Sequence, residues 1–195
     1  MKKNITAIVL AGGRSSRMQY RDKGLMLFHD KPMVEHVVSR LKGQVDEILI
    51  SANQNLGIYG RYSERVLTDD ASDFPGPLAG ICEGLKAMQT DFLLVVPCDG
   101  PMLPLDLAGR LYNQLQHNEA YLAVVHDGQY KQPTYNMVHR NMLNNAQQFL
   151  QSGERKLGLW LKDNNALLVD FSDQPKAFAN LNSEKELKEF QTLVE

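Results

Sequence analysis

Cysteine is scarce in this chain, tryptophan scarcer still, and neither sign of charge is in excess. Two cysteines in 195 residues, Cys82 and Cys98, cannot build a disulfide framework, and neither sits in a CxxC spacing. Both read as small buried hydrophobes. Lys+Arg 21 against Asp+Glu 23 leaves a formal charge of -2. That balance gives no support to nucleic-acid binding through a general basic field, so an anionic ligand must be held by a local cluster of donors. Long apolar runs are missing too. Ala7–Ala11, the longest near the start, is far short of a signal h-region, and nothing approaches the ~18 residues of a membrane span. The expectation is a cytoplasmic protein with no membrane attachment. What is present is ordinary globular composition, 43% hydrophobic and 23% charged, which excludes disordered and collagen-like classes. A chain of this length hides roughly 70% of its unfolded surface and reads as one domain, residues 1–195.

Strand-like and helix-like patterns alternate along it. Ile5–Leu10 is a short apolar run rich in β-branched residues, ending in Ala11-Gly12-Gly13. Behind Pro32, taken as a first-turn residue, Met33, Val34, Val37, Val38 and Leu41 recur at helical spacing. Strands are expected at Val45–Ala52 and Arg65–Thr68, and a helix over Leu78–Met88. Asp91–Val96 is apolar at nearly every position, as a central strand of a parallel sheet requires. Pro104 opens a further helix through Leu107, Leu111 and Leu115. Tyr121–Val125 reads as a strand, and Asp127-Gly128 as a turn before a strand at Tyr135–Val138. Helices are expected over Asn141–Gln151 and Lys156–Leu161, with a last strand near Ala166–Val169. Ser183 and Glu186 form a capping box for a final helix. The fold class is α/β: a Rossmann-like three-layer arrangement, with a mainly parallel sheet and an antiparallel insertion after Val125.

In such sheets ligands bind beyond the carboxyl ends of the strands. The loop after Leu10 carries Gly12 and Gly13, whose backbone can approach a ligand closely. Arg14, Arg17, Arg21 and Lys23 follow, four cations within ten residues. A phosphate chain suits this loop. It matches neither the P-loop spacing GxxxxGK[ST] nor the dinucleotide fingerprint GxGxxG. Asp99 ends the most apolar strand, where a buried carboxylate needs a cation or hydrogen bonds. Mg²⁺, which takes one or two carboxylates together with substrate phosphates, is a fitting partner. An Asx-turn ahead of Pro101 explains the same residue structurally.

Leu10-Ala11-Gly12-Gly13-x-Ser-x-Arg-Met followed by Asp22-Lys23 resembles the signature loop of nucleotidyltransferases that release pyrophosphate from a nucleoside triphosphate. With Asp73-Phe74-Pro75-Gly76-Pro77-Leu78-Ala79-Gly80, Pro97-Cys98-Asp99, Glu154-Arg155-Lys156 and Asn180-Leu181-Asn182, the chain is similar over its whole length to the molybdenum cofactor guanylyltransferases (MobA-type proteins). Two positions depart from that pattern: Gln19 stands where the family carries glycine, and Ser51 where it commonly has asparagine.

The resemblance implies transfer of GMP from GTP to molybdopterin, giving the guanine dinucleotide cofactor and pyrophosphate, with Mg²⁺ as cofactor. Asp99, Lys23 and Arg17 are then the expected catalytic residues, Asp99 also holding the metal. The expected nucleotide site is Leu10, Ala11, Gly12, Gly13, Lys23, Ser51, Asn53, Asp69, Gly76, Gly80 and Asp99. Residues to about 100 would hold GTP and 101–195 mainly the acceptor, with Arg155, Asn180 and Asn182 on its phosphate. Guanine offers adjacent N1–H and N2–H donors, and Asp69 is placed to accept them. Transient contacts with other molybdenum-cofactor assembly proteins are implied as well. The alternatives are a cytidylyl- or sugar-phosphate nucleotidyltransferase of the same superfamily, and a non-catalytic nucleotide-binding regulatory domain.

Overall fold

The computed structural model describes residues 3–12, 22–68 and 76–179. Nine strands occur among them: β1 (Ile5–Leu10), β2 (Leu27–Phe28), β3 (Lys31–Pro32), β4 (Glu47–Ser51), β5 (Arg65–Leu67), β6 (Phe92–Pro97), β7 (Leu122–His126), β8 (Lys131–His139) and β9 (Leu167–Asp170). The helices are α1 (Met33–Leu41), α2 (Leu56–Tyr59), α3 (Pro77–Ala87), α4 (Leu107–His117), α5 (Leu143–Gln151) and α6 (Leu157–Asp163). Seven strands form one sheet in the order β5-β4-β1-β6-β8-β7-β9. Only β8 runs against the rest: it pairs antiparallel with β6 and β7, while β9 lies parallel to β7 at the edge. The α/β three-layer reading with an antiparallel insertion therefore holds.

Burial on both faces explains the near-continuous apolar strands. Val9, Ile50, Leu94, Val96 and Ala123 face α1 and α4, and Ile8, Leu49, Leu93, Val95 and Val124 face α3, α5 and α6. Chain order reverses at β1: β4 and β5 lie to one side and β6 to the other. Such a switch point opens a crevice at the carboxyl ends of the strands.

Several local expectations shift. Pro32 is not in the first turn of α1 but precedes it, paired with Leu27 in a two-stranded hairpin. Its fixed φ of -55° suits extended backbone as well as helix. Helix α4 starts at Leu107, three residues past Pro104. Strand β8 begins earlier than expected because Asp127 Oδ1 gathers the N–H groups of Gln129 and Tyr130 and closes a hairpin with β7. Between its pairs Val124↔Asn136 and Val125↔Gln132 the register jumps, so residues 133–135 bulge out of the ladder. The expected helix after Ser183 lies outside the described residues.

Candidate functional site

A cleft of about 240 Å³ opens where the switch point predicts one. Its walls are the carboxyl ends of β1 (Leu10, Ala11, Gly12), β4 (Ser51) and β6 (Pro97, Cys98, Asp99), the start of α3 (Gly76, Pro77, Gly80), the turn at Asp22-Lys23, and Thr134 from the β8 bulge. Parallel pairing sets these ends level: Leu10 is in register with Ser51 on one side and with Pro97 on the other. The Ala11 N–H donates to the Ser51 carbonyl at 2.8 Å and the Cys98 N–H to the Leu10 carbonyl at 3.1 Å. Both amides are thus spent on holding the rim together.

Two groups of opposite charge meet inside. Lys23 Nζ lies 3.5 Å from Asp99 Oδ2, with the Asp99 side chain 12% exposed and that of Lys23 31%. Beside them the Cys98 thiol is held well above its ordinary value, by burial first and then by the neighbouring Asp99 and Asp22 carboxylates. Burial and these carboxylates favour the neutral thiol over the thiolate. Beneath the loop, a Cβ added at Gly100 would fall on the Tyr135 hydroxyl, which is buried and has no partner among the described residues.

Of the three glycines lining the cleft, two are required by backbone conformation or packing and one is not. Gly76 takes φ +80° at the start of α3, a conformation that L side chains rarely adopt. At Gly80 an added Cβ would lie 2.7 Å from Ser51 Oγ and 3.0 Å from Leu10 Cδ2, so this glycine lets α3 sit tightly on the cleft floor. At Gly12 the nearest described atoms would be Asn53 Nδ2 at 3.7 Å and Ser51 O at 3.9 Å, ordinary contact. Packing among the described residues does not call for a glycine there; a ligand lying on the backbone would.

Leu10, Ala11, Gly12, Lys23, Ser51, Gly76, Gly80 and Asp99 are therefore brought to one cleft, and Asn53 stands beside Gly12. Arg155 is placed differently from expectation. Its guanidinium donates to the Leu150 carbonyl in the last turn of α5 and to the carbonyl of its neighbour Glu154, and its own carbonyl, not its side chain, approaches Gly76. The carbonyls at a helix C-terminus carry partial negative charge and attract a nearby cation. Gly13, Arg17, Asp69, Asn180 and Asn182 lie outside the described residues. The sequence offers Thr134, with His126, Gln132 and Pro133, as lining the acceptor side or as plain structure; Thr134 is a wall of the cleft, at the register jump in β8.

Residues 7–166 match the model of the MobA-like NTP transferase domain. The chain belongs to that family. It is 42% identical over 189 residues to the molybdenum cofactor guanylyltransferase of Shewanella amazonensis, covering 97% of this chain and 96% of that protein. The molybdenum cofactor guanylyltransferase of Aliivibrio fischeri is 41% identical over 192 residues, covering 98% of both. Among solved structures, molybdopterin-guanine dinucleotide biosynthesis protein A from Archaeoglobus fulgidus superposes with a TM-score of 0.81 over 97% of this chain and 98% of its own, at 18% identity. That last likeness speaks for the fold alone. Among the described residues no helix is long and apolar enough to cross a membrane.

Proposed function

We propose that this protein is a cytoplasmic guanylyltransferase that moves GMP from GTP onto the terminal phosphate of molybdopterin, releasing pyrophosphate. The observation that carries the reading is the Lys23–Asp99 pair, 3.5 Å apart in a cleft at the carboxyl ends of β1 and β6. Family membership and the full-length likeness to named guanylyltransferases support the choice of donor and acceptor.

The roles follow from charge and geometry. Attack on the α-phosphorus builds negative charge on the bridging oxygen as pyrophosphate leaves, and a positioned ammonium stabilises it where it develops. Lys23 is that ammonium, with Arg17 assigned beside it. Gly12 gives the phosphates an approach to bare backbone, and the N-terminus of α3 at Gly76-Pro77 adds the positive end of an 11-residue helix. A phosphate acceptor is already ionised at neutral pH, so the cleft needs no general base. Asp69 is assigned to the guanine edge, and Arg155, Asn180 and Asn182 to the acceptor phosphate, Arg155 after its guanidinium leaves the α5 carbonyls.

Asp99 fits a magnesium ion. Its carboxylate is inside the cleft and its neighbour across the cleft is a cation, whereas both oxygens of Asp22, the other acid lining the cleft, are occupied by protein donors. One carboxylate plus substrate phosphates and waters is an ordinary donor set for Mg²⁺. When bound, the ion would offset phosphate charge and help to orient the triphosphate.

Thermal unfolding with GTP, ATP, CTP and UTP, each with and without Mg²⁺, tests donor and cofactor together. A ligand at 100 times its Kd adds about 2.7 kcal/mol of stability. A Mg²⁺-dependent shift largest for GTP is expected. A larger shift with CTP overturns the guanine assignment, and equal shifts without Mg²⁺ overturn the metal role.

A further inference from the structure

The turn that carries Lys23 is held from outside the cleft. Asp22 caps the short 3₁₀ turn Lys23–Leu25, and its Oδ1 accepts the Gly24 N–H at 3.2 Å. The same Oδ1 accepts the Tyr59 hydroxyl at 2.5 Å, and Oδ2 accepts Asn55 Nδ2 at 3.0 Å. Tyr59 and Asn55 are the two ends of α2, 37 and 33 residues away in the chain. Asn55 adopts φ 54° and ψ 29°, a left-handed conformation uncommon outside glycine, while its carbonyl accepts the N–H groups of Ile58 and Tyr59. Such a residue persists where its surroundings over-determine it, and this cluster of bonds does so. Gly24 completes the clamp. A Cβ there would lie 2.6 Å from the Tyr59 hydroxyl and 3.1 Å from both Cys98 Cβ and Sγ, so the turn is wedged between α2 and the end of β6.

We infer that Tyr59 and Asn55 are positioning residues: through Asp22 they fix the turn whose Lys23 meets Asp99, so the loop after β4 sets the cleft's ammonium. Tyr59 does not line the cleft and is fully buried, so it acts through its neighbour. Burial first, then the nearby Cys98 and the Asp22 carboxylate, hold its hydroxyl far on the neutral side, where it can only donate to Asp22. The kinetic part of this inference rests on the transferase reading above; the geometric part does not.

Tyr59→Phe deletes one hydroxyl and keeps the ring, and Asn55→Ala removes the second donor. Each is expected to keep a cooperative melting transition and to lower kcat/KM for GMP transfer about 10-fold, the scale of one hydrogen bond to a charged group. In a Lys23→Ala background the same substitutions should add less than about 2-fold, because residues acting through one group are not additive. Losses that multiply in the double variants overturn the inference, as does unchanged kcat/KM in both single variants. A readout free of any reaction runs beside this: reductive methylation of the ligand-free protein, with the rate at Lys23 followed by mass spectrometry. Faster methylation of Lys23 in both variants than in the parent supports positioning, and equal rates refute it. If the parent protein transfers no GMP, the functional reading falls and the methylation rates alone decide the positioning role.

Discussion

Three helical glycines make a controlled experiment in packing. Gly109 in α4 has nothing within 4 Å of an added Cβ, whereas at Gly84 in α3 that atom would lie 2.8 Å from Ile8 Cδ1 and 2.9 Å from Leu93 Cδ2. Alanine at either position gains up to about 1 kcal/mol of helix propensity over glycine. At Gly109 the gain stands alone, so Gly109→Ala should melt higher. At Gly84 it is opposed by overpacking between α3 and strands β1 and β6, typically about 1–3 kcal/mol. The Ile8 and Leu93 tips are flexible ends of side chains, which places the cost in the lower part of that range. The difference between the two variants is then roughly 1–2 kcal/mol, and for a domain of this size each kcal/mol moves Tm by about 2–4 °C. Differential scanning calorimetry of Gly109→Ala and Gly84→Ala side by side reads it directly. A Gly84→Ala protein as stable as Gly109→Ala would show that the helix–sheet contact is looser than described. Gly80→Ala extends the series, since its Cβ would press on Ser51 and Leu10, both walls of the cleft. It should lose nucleotide affinity as well as stability, where Gly84→Ala loses stability alone.

Asp99→Ala should lower turnover by about 10²-fold or more while leaving the far-ultraviolet spectrum unchanged, as loss of an electrostatic centre does; full turnover across a Mg²⁺ titration would remove Asp99 from the metal site. Lys23→Ala should lose about 1.5–3 kcal/mol of transition-state stabilisation, measured as kcat/KM for GTP, and an unchanged value would make Lys23 a bystander. Asp69→Ala should narrow the GTP-to-ATP preference more than it weakens triphosphate affinity, and an unaltered ratio would exclude it as the base reader. The acid side of the stability curve has its own test. Asp46 accepts the Lys3 and Asn4 N–H groups at 2.9 and 2.6 Å, and these bonds, that from Lys3 foremost, hold its carboxyl below the usual carboxylate range. A folded-state value below the unfolded one gives stability that is fully present above about pH 4 and lost as pH falls through the folded value. The Tm deficit of Asp46→Ala should therefore be clear near about pH 6 and shrink as pH falls below about 4; a deficit constant with pH would contradict the assignment.

Periodicity made most of this fold legible because the elements are strongly patterned. The run of β1, apolar at every position but Thr6, and the buried run of β6 mark central strands, and the Leu107, Leu111, Leu115 spacing finds α4. The unread parts have local physical causes. Hairpin β2–β3 has two residues per strand, too short for alternation, and turns at His29 and Asp30, both with positive φ. Helix α2 is a single turn held by Asp22, a partner 37 residues from Tyr59 that no window of sequence contains. At the site, the residues ending strands β1, β4 and β6 could be named in advance because the strand ends are fixed by register. The place of Arg155 depends on whether a helix end captures its guanidinium, which leaves no pattern in the sequence.

GMP transfer is attack at the α-phosphorus of GTP. The direct measurement incubates the protein with Mg²⁺, molybdopterin and GTP labelled either at the α- or at the γ-phosphate, and separates the products. GMP transfer should put the α-label in a pterin-linked guanine dinucleotide and the γ-label in pyrophosphate, in equal amounts. Label from the γ-position emerging as inorganic phosphate, with the α-label left in GDP, would contradict it.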